Sequence, residues 1–269
     1  MKNRPPLLKW GGAIVAVAAL AAALGPALVG IDPAAQTLAL RLSRPTWAHP
    51  LGLDELGRDI LSRIVWGARI SLLVGVTVVT VSATTGTLLG ALAGYVGGRV
   101  DDVISRAIDI LLAFPGLLLA IALVAVLGPS LGNVLLALTA IGWVGYARLV
   151  RGHALRAREL EYVQAARAMG ATATAILYRH VIPAALPAVV VQATLGMAGA
   201  IIGEAALSFL GLGVQPPTAS WGTMLNGGRP HLLDAPHLTL LPGVAIATVV
   251  LGFNFLGDGL RDWADPKQQ

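Results

Sequence analysis

The sequence predicts an all-α integral membrane protein with six transmembrane helices and both termini on the cytoplasmic side. Of its 269 residues, 56% are hydrophobic and only 12% are charged, and the mean hydropathy is +0.75. A soluble globular protein has about 25% charged residues. The apolar residues also form runs long enough to cross a bilayer, and most of the charged residues fall between those runs. Together these observations exclude a soluble fold.

Each predicted span is an apolar run of membrane length. A helix rises about 1.5 Å per residue, so about 20 residues cross a hydrocarbon core of about 30 Å. The runs are Trp10–Gly30, Ile70–Tyr95, Val103–Leu127, Leu131–Val150, Ala184–Val214 and Leu238–Leu256. The alternative for the first run is a signal peptide cleaved near Ala27. Its apolar region is longer than the roughly 7 to 15 residues usual there, so we expect an uncleaved span.

Positive charge sets the predicted orientation, because cytoplasmic loops retain an excess of Lys and Arg. With both termini inside, 13 of the 19 basic residues fall on the cytoplasmic side and 6 fall outside. The inner set is Lys2, Arg4, Lys9, Arg99, Arg106, Arg148, Arg151, Arg156, Arg158, Arg167, Arg179, Arg261 and Lys267, and the outer set is Arg41, Arg44, Arg58, Arg63, Arg69 and Arg229. This asymmetry accounts for the net charge of +5 without nucleic-acid binding.

The segment from Asp32 to Arg69 is the longest polar stretch on the predicted outer side. Its apolar residues are spaced as on one face of a helix, which predicts a helical stretch along the outer interface. These residues are Leu53, Leu56, Ile60 and Ile64.

Small residues and one proline shape the predicted spans. Gly86, Gly90 and Gly94 lie four residues apart and share a helix face that lets another helix approach closely. We favour packing within this chain over an interface with another subunit. Gly199 and Gly203 have the same spacing. Pro115 predicts a kink in the third span.

Glu204 has the highest free-energy cost of membrane insertion in the sequence, because this carboxyl group lies in an otherwise apolar span. Its carboxyl group must face protein or water. It either lines the translocation path or acts as a gating contact, or it joins helices as a protonated or paired side chain. The sequence leaves both readings open.

Other polar clusters call for no special chemistry. Asp102, Arg106 and Asp109 are spaced as neighbours on a helix and predict an interfacial charge cluster. His231, Asp234 and His237 do not complete a metal-ligand set, so we expect no metal site. The chain has no cysteine, which excludes disulfides and thiolate ligands.

The polar segment after the fourth span predicts a helix, a turn and a second helix. Good helix formers fill His153–Met169, Gly170 supplies a left-handed stop, and a short helix from Ala173 to His180 ends before Pro183. Small side chains there, including Ala165 and Ala166, would let the first helix enter a groove on another protein. The alternative is an amphipathic loop lying on lipid headgroups.

The segment resembles the cytoplasmic loop of ABC importer permeases. That family has Glu-Ala-Ala, a Gly after three residues, and a Leu-Pro ending; here the matching residues are Gln164-Ala165-Ala166, Gly170 and Ile182-Pro183, with Glu161 one turn earlier. Gln164 replaces the usual Glu, and Ile182 the usual Leu. Other segments are similar to the second (C-type) permease subunit of the dipeptide, oligopeptide and nickel branch. They are 49–59 (HPLGLDELGRD), 113–115 (AFP), 204–213 (EAALSFLGLG) and 220–225 (SWGTML).

The resemblance implies a MetI-like permease fold and a multi-pass protein of a bacterial or archaeal cytoplasmic (inner) membrane. It implies alternating access driven by two ABC ATPases, together with a homologous second permease subunit and an extracytoplasmic solute-binding protein. The chain contains no phosphate-binding loop motif, so we expect it to bind no cofactor, with ATP and Mg on the ATPase subunits. The resemblance also implies that the loop of residues 151–183 couples the chain to the ATPases. It divides the chain into an N-terminal region (1–64), with the first transmembrane helix and the outer polar segment, and a permease domain (65–269).

Two other functional classes are less well supported. A stand-alone secondary transporter or channel would show inverted repeats or a row of intramembrane charges. A membrane enzyme would show catalytic groups at a useful spacing within a span. We find neither pattern. The sequence does not choose between dipeptides, longer peptides, nickel complexes and related solutes as the substrate.

Overall fold

Ten α-helices make up most of the computed structural model, which describes residues 6–264. They are α1 (Pro6–Val29), α2 (Ile60–Val96), α3 (Gly98–Leu112), α4 (Gly116–Leu127), α5 (Leu131–Ala157), α6 (Glu161–Ala168), α7 (Ala173–Ile176), α8 (Ile182–Phe209), α9 (Trp221–Gly228) and α10 (His237–Ala264). Short 3₁₀ turns lie at 38–40 and 229–231, and a π-helical turn at 177–181 joins α7 to α8. Residues 6–264 contain no strand beyond one isolated bridge.

Five helical stretches are long and apolar enough to cross a membrane: α1, α2, α5, α10 and the continuous stretch from α7 through α8. The pair α3 and α4 supplies a sixth if it is counted as one broken span. The predicted all-α class is therefore confirmed, with five to six apolar spans. The orientation of the termini stays a prediction, and Lys2, Arg4 and Lys267 lie outside the described residues.

Pro115 breaks the third span. The axes of α3 and α4 differ by 86°, and Pro115 itself sits at the N-cap of α4. Because proline lacks an N–H and clashes with the preceding turn, the chain starts a new helix there. The predicted kink is confirmed as a sharp break.

Helix α2 is the central element of the packing. Its glycines Gly86, Gly90 and Gly94 lie against the backbone of α5 at three successive turns, so that a Cβ on any of them would collide with α5. This arrangement confirms the preferred reading of packing within the chain. A second set of close contacts joins α1 to α10 at Gly11 and Gly259.

The segment before α2 corrects the prediction of a helical stretch over residues 53–64. The helix begins only at Ile60, where the Asp59 carboxylate accepts a hydrogen bond from Ser62 N at 2.7 Å. Gly57 has φ +72°, which ends any helical path before that point. Leu53 and Ile60 are buried because the loop folds back over the helices.

A buried charge network holds that loop. Asp54 lies at the centre, 2.7 Å from Arg58 Nε and 3.4 Å from Arg63 Nε. Arg58 also contacts Glu55 at 2.7 Å. Charges removed from water in this way are stable only when they are paired, so the loop geometry depends on the whole set.

The polar segment between α5 and α8 differs from the prediction in two places. The predicted helix His153–Met169 is split by a turn at residues 158–160. In addition, Pro183 does not end a helix, because it lies in the first turn of α8. The π-helical turn at 177–181 leads directly into it, and such a turn interrupts the α-helical hydrogen-bond pattern in which proline lacks its donor. The left-handed stop at Gly170 is confirmed, with φ +86°.

Candidate functional site

The polar segment is a folded unit fixed to the end of α2. Val163 and Ala166, which share one face of α6, are buried in a cluster with Tyr95 from the last turn of α2. The Arg167 guanidinium lies 6.0 Å from the centre of the Tyr95 ring, within the range of a cation–π contact. These contacts hold α6 in one position relative to the spanning helices.

The opposite side of α6 is exposed. We call this side the α6 outer face and define it by Glu161, Gln164, Ala165, Ala168 and Met169. Met169 at the end of this face is 83% exposed. Sequence reasoning did not single out Met169.

The residues predicted for the coupling loop do not all point the same way. Gln164 and Ala165 lie on the α6 outer face, whereas Ala166 is buried. Ala166 therefore serves the attachment of α6 to α2 and offers no surface to a partner. Ile182 is half-buried and Pro183 is exposed at the start of α8.

An ion pair that sequence reasoning missed ties α3 to α5 near this segment. Arg151 Nε and Nη2 donate to the two carboxylate oxygens of Asp101 at 2.5 and 2.7 Å. Ser105 Oγ donates to the same carboxylate at 3.2 Å. The predicted cluster named the neighbouring Asp102 instead. No local pattern connects Asp101 to a residue 50 positions away, because only the fold brings them together.

Glu204 lies in a closed polar joint. Its side chain is fully buried and accepts hydrogen bonds from Ser208 Oγ at 2.7 Å and Ser71 Oγ at 3.2 Å. Ser71 is on α2, so the carboxyl group connects two spanning helices. Among the ion pairs of residues 6–264, none involves Glu204.

The same joint includes the start of α9. Ser220 caps that helix, and the indole N–H of Trp221 donates to the Ile64 carbonyl of α2 at 2.9 Å. Gly222 lies so close to Ala205 and Ser208 of α8 that any side chain there would collide with them. The geometry therefore favours the structural reading of Glu204.

A cavity of about 370 Å³ opens between α2, α4, α5 and α8. Gly116, next to the break at Pro115, lies in its wall, as does Gly199 of α8. Neither Glu204 nor the glycines at 86, 90 and 94 line it. The polar residues of the cavity wall carry no recognisable pattern in the sequence, because each is an isolated Ser, Tyr or Gln inside an apolar run.

Comparison with known families gives a match over residues 86–269 to the binding-protein-dependent transport system inner membrane component. The chain is 48% identical to the dipeptide transport system permease protein DppC of Alkalihalophilus pseudofirmus over 250 residues, which are 93% of this chain and 82% of that protein. It is 50% identical to the glutathione transport system permease protein GsiD of Pectobacterium atrosepticum over 223 residues, covering 83% and 74% of the two chains.

A third relative is the probable D,D-dipeptide transport system permease protein DdpC of Escherichia coli. It is 43% identical over 267 residues, or 99% of this chain and 90% of the relative. Among solved structures, the MetNI methionine ABC transporter in an inward-facing form has a chain that matches with a TM-score of 0.59 at 20% identity. The match covers 75% of this chain and 96% of that chain, and it supports the predicted MetI-like fold.

Proposed function

The chain belongs to the family of binding-protein-dependent transport system inner membrane components, and from that premise we propose that the α6 outer face couples its transport cycle to ATP hydrolysis. The protein is a multi-pass permease subunit of an ABC importer in the inner membrane, and it works with an ATPase and a solute-binding protein. It is not itself an enzyme. Three points are proposals: which residues contact the ATPase, which solute crosses the membrane, and how many subunits form the transporter.

The observation that carries the coupling proposal is the position of α6. Buried Val163 and Ala166 hold it against the end of α2, while Ala165 and Met169 face outward. A force applied to the outer face therefore passes into the buried cluster that α6 shares with α2, α5 and α8. An amphipathic loop lying on lipid headgroups would need no such anchor. This geometry supports docking into a groove of an ATPase subunit.

We assign two ATPases and one homologous permease subunit to the assembly, with ATP and Mg bound by the ATPases and no cofactor bound by this chain. Both termini and α6 lie on the cytoplasmic side, in keeping with the 13 to 6 distribution of basic residues. A binding protein delivers the solute to the opposite side. Alternating access then follows from movement of the two permease subunits relative to one another.

Short peptides are the solutes that we propose. The three relatives described above are named for a dipeptide, glutathione and a D,D-dipeptide. These molecules share a small size and backbone amide groups. A screen of peptides of two to about five residues against the cognate binding protein would test this assignment, and selective binding of a free metal ion instead would contradict it.

Two substitutions in the polar segment test the coupling proposal. Ala165→Arg places bulk and charge on the α6 outer face, and Gly170→Val forces a β-branched residue to adopt φ +86°. We expect both variants to reach the membrane but to lose binding-protein-stimulated ATP hydrolysis and uptake together. The matched control is Ala264→Arg, at an exposed alanine at the end of α10, which the predicted orientation places on the same side of the membrane as α6.

The measurements are uptake into proteoliposomes and co-purification of the ATPase. Normal co-purification, stimulation and uptake in Ala165→Arg, at normal protein level, would refute docking at the α6 outer face. Ala166→Arg is a poor test of docking, because Ala166 is buried and its replacement would detach α6 from α2.

A further inference from the structure

The cavity between α2, α4, α5 and α8 lies deep in the spanning region. Gln192, on its wall, is ten residues from the start of α8, which corresponds to about 15 Å along the helix. Tyr146, on the facing helix α5, is a similar distance from the end of that helix. The cavity therefore lies well inside both helices, about ten residues from the nearer end of each.

Glycines create the space inside the cavity. A Cβ on Gly142 would collide with the Ser82 side chain, and a Cβ on Gly196 would collide with the Tyr146 hydroxyl. A Cβ on Gly199 would meet nothing within 4 Å, so this glycine borders open space. Gly142 and Gly196 therefore make room for the Ser82 and Tyr146 side chains in the cavity wall, whereas Gly199 borders the open space itself.

Three uncharged polar residues from three different helices line this space. Ser82 of α2 is 1% exposed, and its hydroxyl has no hydrogen-bond partner within residues 6–264. Tyr146 of α5 has only a long contact of 3.5 Å from its hydroxyl to the Gln192 carbonyl. Gln192 of α8 adds a side-chain amide. A buried hydroxyl without a partner costs about 1 to 3 kcal/mol, so it requires an explanation.

Among residues 6–264, no acidic or basic side chain lines the cavity. A solute therefore finds hydrogen-bond donors and acceptors there but no countercharge. Hydroxyl and carboxamide groups can both donate and accept, which matches a peptide bond with its N–H and C=O. Because a peptide bond is present whatever the side chains, such a site would accept peptides of different sequence.

We propose that this cavity is a solute-binding subsite of the translocation path, in which Ser82, Tyr146 and Gln192 hydrogen-bond the backbone amide of a short peptide. The inference depends on the proposed function, since it assigns a contact site for the peptide that the permease transports. Three neutral hydrogen bonds hold a solute weakly enough for it to leave, as conduction through a membrane requires.

The test uses the complete transporter, reconstituted with its partner permease, ATPases and binding protein, and the probes are alanylalanine and glutathione. Gln192→Leu and the double variant Ser82→Ala with Tyr146→Phe remove hydrogen-bonding groups from the cavity. We expect uptake per ATP hydrolysed to fall about threefold to tenfold for each hydrogen bond lost. Stimulation of ATP hydrolysis by the loaded binding protein should persist.

Thr139→Val is the matched control, since the Thr139 hydroxyl donates to carbonyls of its own helix and lies outside the cavity.

A second measurement, thiol labelling, does not depend on the uptake rate of the hydrogen-bonding variants. The chain has no cysteine, so Gly199→Cys supplies a single thiol in the cavity wall. During turnover it should react with a charged methanethiosulfonate reagent, and alanylalanine delivered by the binding protein should slow that reaction. Val190→Cys, exposed on the opposite side of α8, should stay unreactive.

The outcomes separate this inference from the proposed function. A wild-type complex that takes up neither peptide refutes the proposed function and this inference together. A transporting complex in which the cavity variants behave like Thr139→Val, and in which Gly199→Cys does not react, overturns the subsite alone.

Discussion

The ion pair between Asp101 and Arg151 should contribute measurably to stability, although it lies near the surface. Most exposed pairs contribute about 0.2 to 1 kcal/mol. This pair is bidentate, with distances of 2.5 and 2.7 Å, and its side chains are only 17% and 34% exposed. Since bidentate, charge-assisted hydrogen bonds are roughly twice as strong as neutral ones, we expect a coupling energy of about 1 to 2 kcal/mol.

A double-mutant cycle with Asp101→Asn and Arg151→Gln measures this energy. Thermal or denaturant unfolding of the detergent-solubilised permease complex gives the free-energy change for each single variant and for the double variant. The exposed pair Arg158 and Glu159, 3.0 Å apart with side chains 41% and 68% exposed, is the control and should show no measurable coupling. A coupling energy for Asp101 and Arg151 within the additivity error of about 0.3 to 0.5 kcal/mol would refute the reasoning.

The charge swap Asp101→Arg with Arg151→Asp adds a functional measurement. Either reversal alone places two like charges together at the joint between α3 and α5, seven residues before the turn that leads into α6. We expect each single reversal to reduce ATPase stimulation and the swap to restore part of it. Restoration should be incomplete, because residue 101 lies in the first turn of α3, where the helix dipole favours an acidic residue.

Four further substitutions or sets of substitutions test other parts of the structure. Single cysteines at positions 44 and 229 should be labelled from outside intact cells and one at 158 should not; labelling at 158 would overturn the orientation. Glu204→Gln should keep a hydrogen-bond acceptor for Ser71 and Ser208, whereas Glu204→Leu should lower the free energy of unfolding by about 1 to 3 kcal/mol. Equal melting temperatures for the two variants would contradict the structural interpretation of Glu204. Asp54→Ala should cost about 3 to 5 kcal/mol in unfolding experiments because it leaves buried Arg58 and Arg63 without their shared carboxylate. Gly90→Val should prevent assembly, measured by size-exclusion chromatography, whereas the control Gly12→Val has free space and should assemble normally.

Hydropathy predicted which segments cross the membrane but not where the helices end. Helix α2 begins at Ile60 instead of Ile70, and α5 ends at Ala157 instead of Val150. A hydropathy window reports the part of a helix that lipid can surround. It is insensitive to turns that continue into water and are stabilised by other means, such as the Asp59 cap on α2.

The coupling segment shows a second limit of the sequence. Gly170 could be predicted as a stop because few other residues adopt its φ. The division between Ala165 and Ala166 could not, since identical side chains give no amphipathic signal. Their roles are decided by Val163 and by the position of Tyr95, 68 residues earlier in the chain. The α6 outer face therefore becomes visible only in the folded protein.

The packing of α2 also constrains how the cavity can change during transport. At Gly86, Gly90 and Gly94 the backbones of α2 and α5 are in direct contact, and no flexible side chain separates them. We therefore expect these two helices to move as one body. Ser82 and Tyr146 belong to this body, whereas Gln192 belongs to α8. Movement of α8 relative to this body would separate the hydrogen-bonding groups of the cavity. Because α6 lies next to α7, where the continuous stretch through α8 begins, and shares a buried cluster with α2, α5 and α8, docking of an ATPase at α6 is placed to drive such a movement.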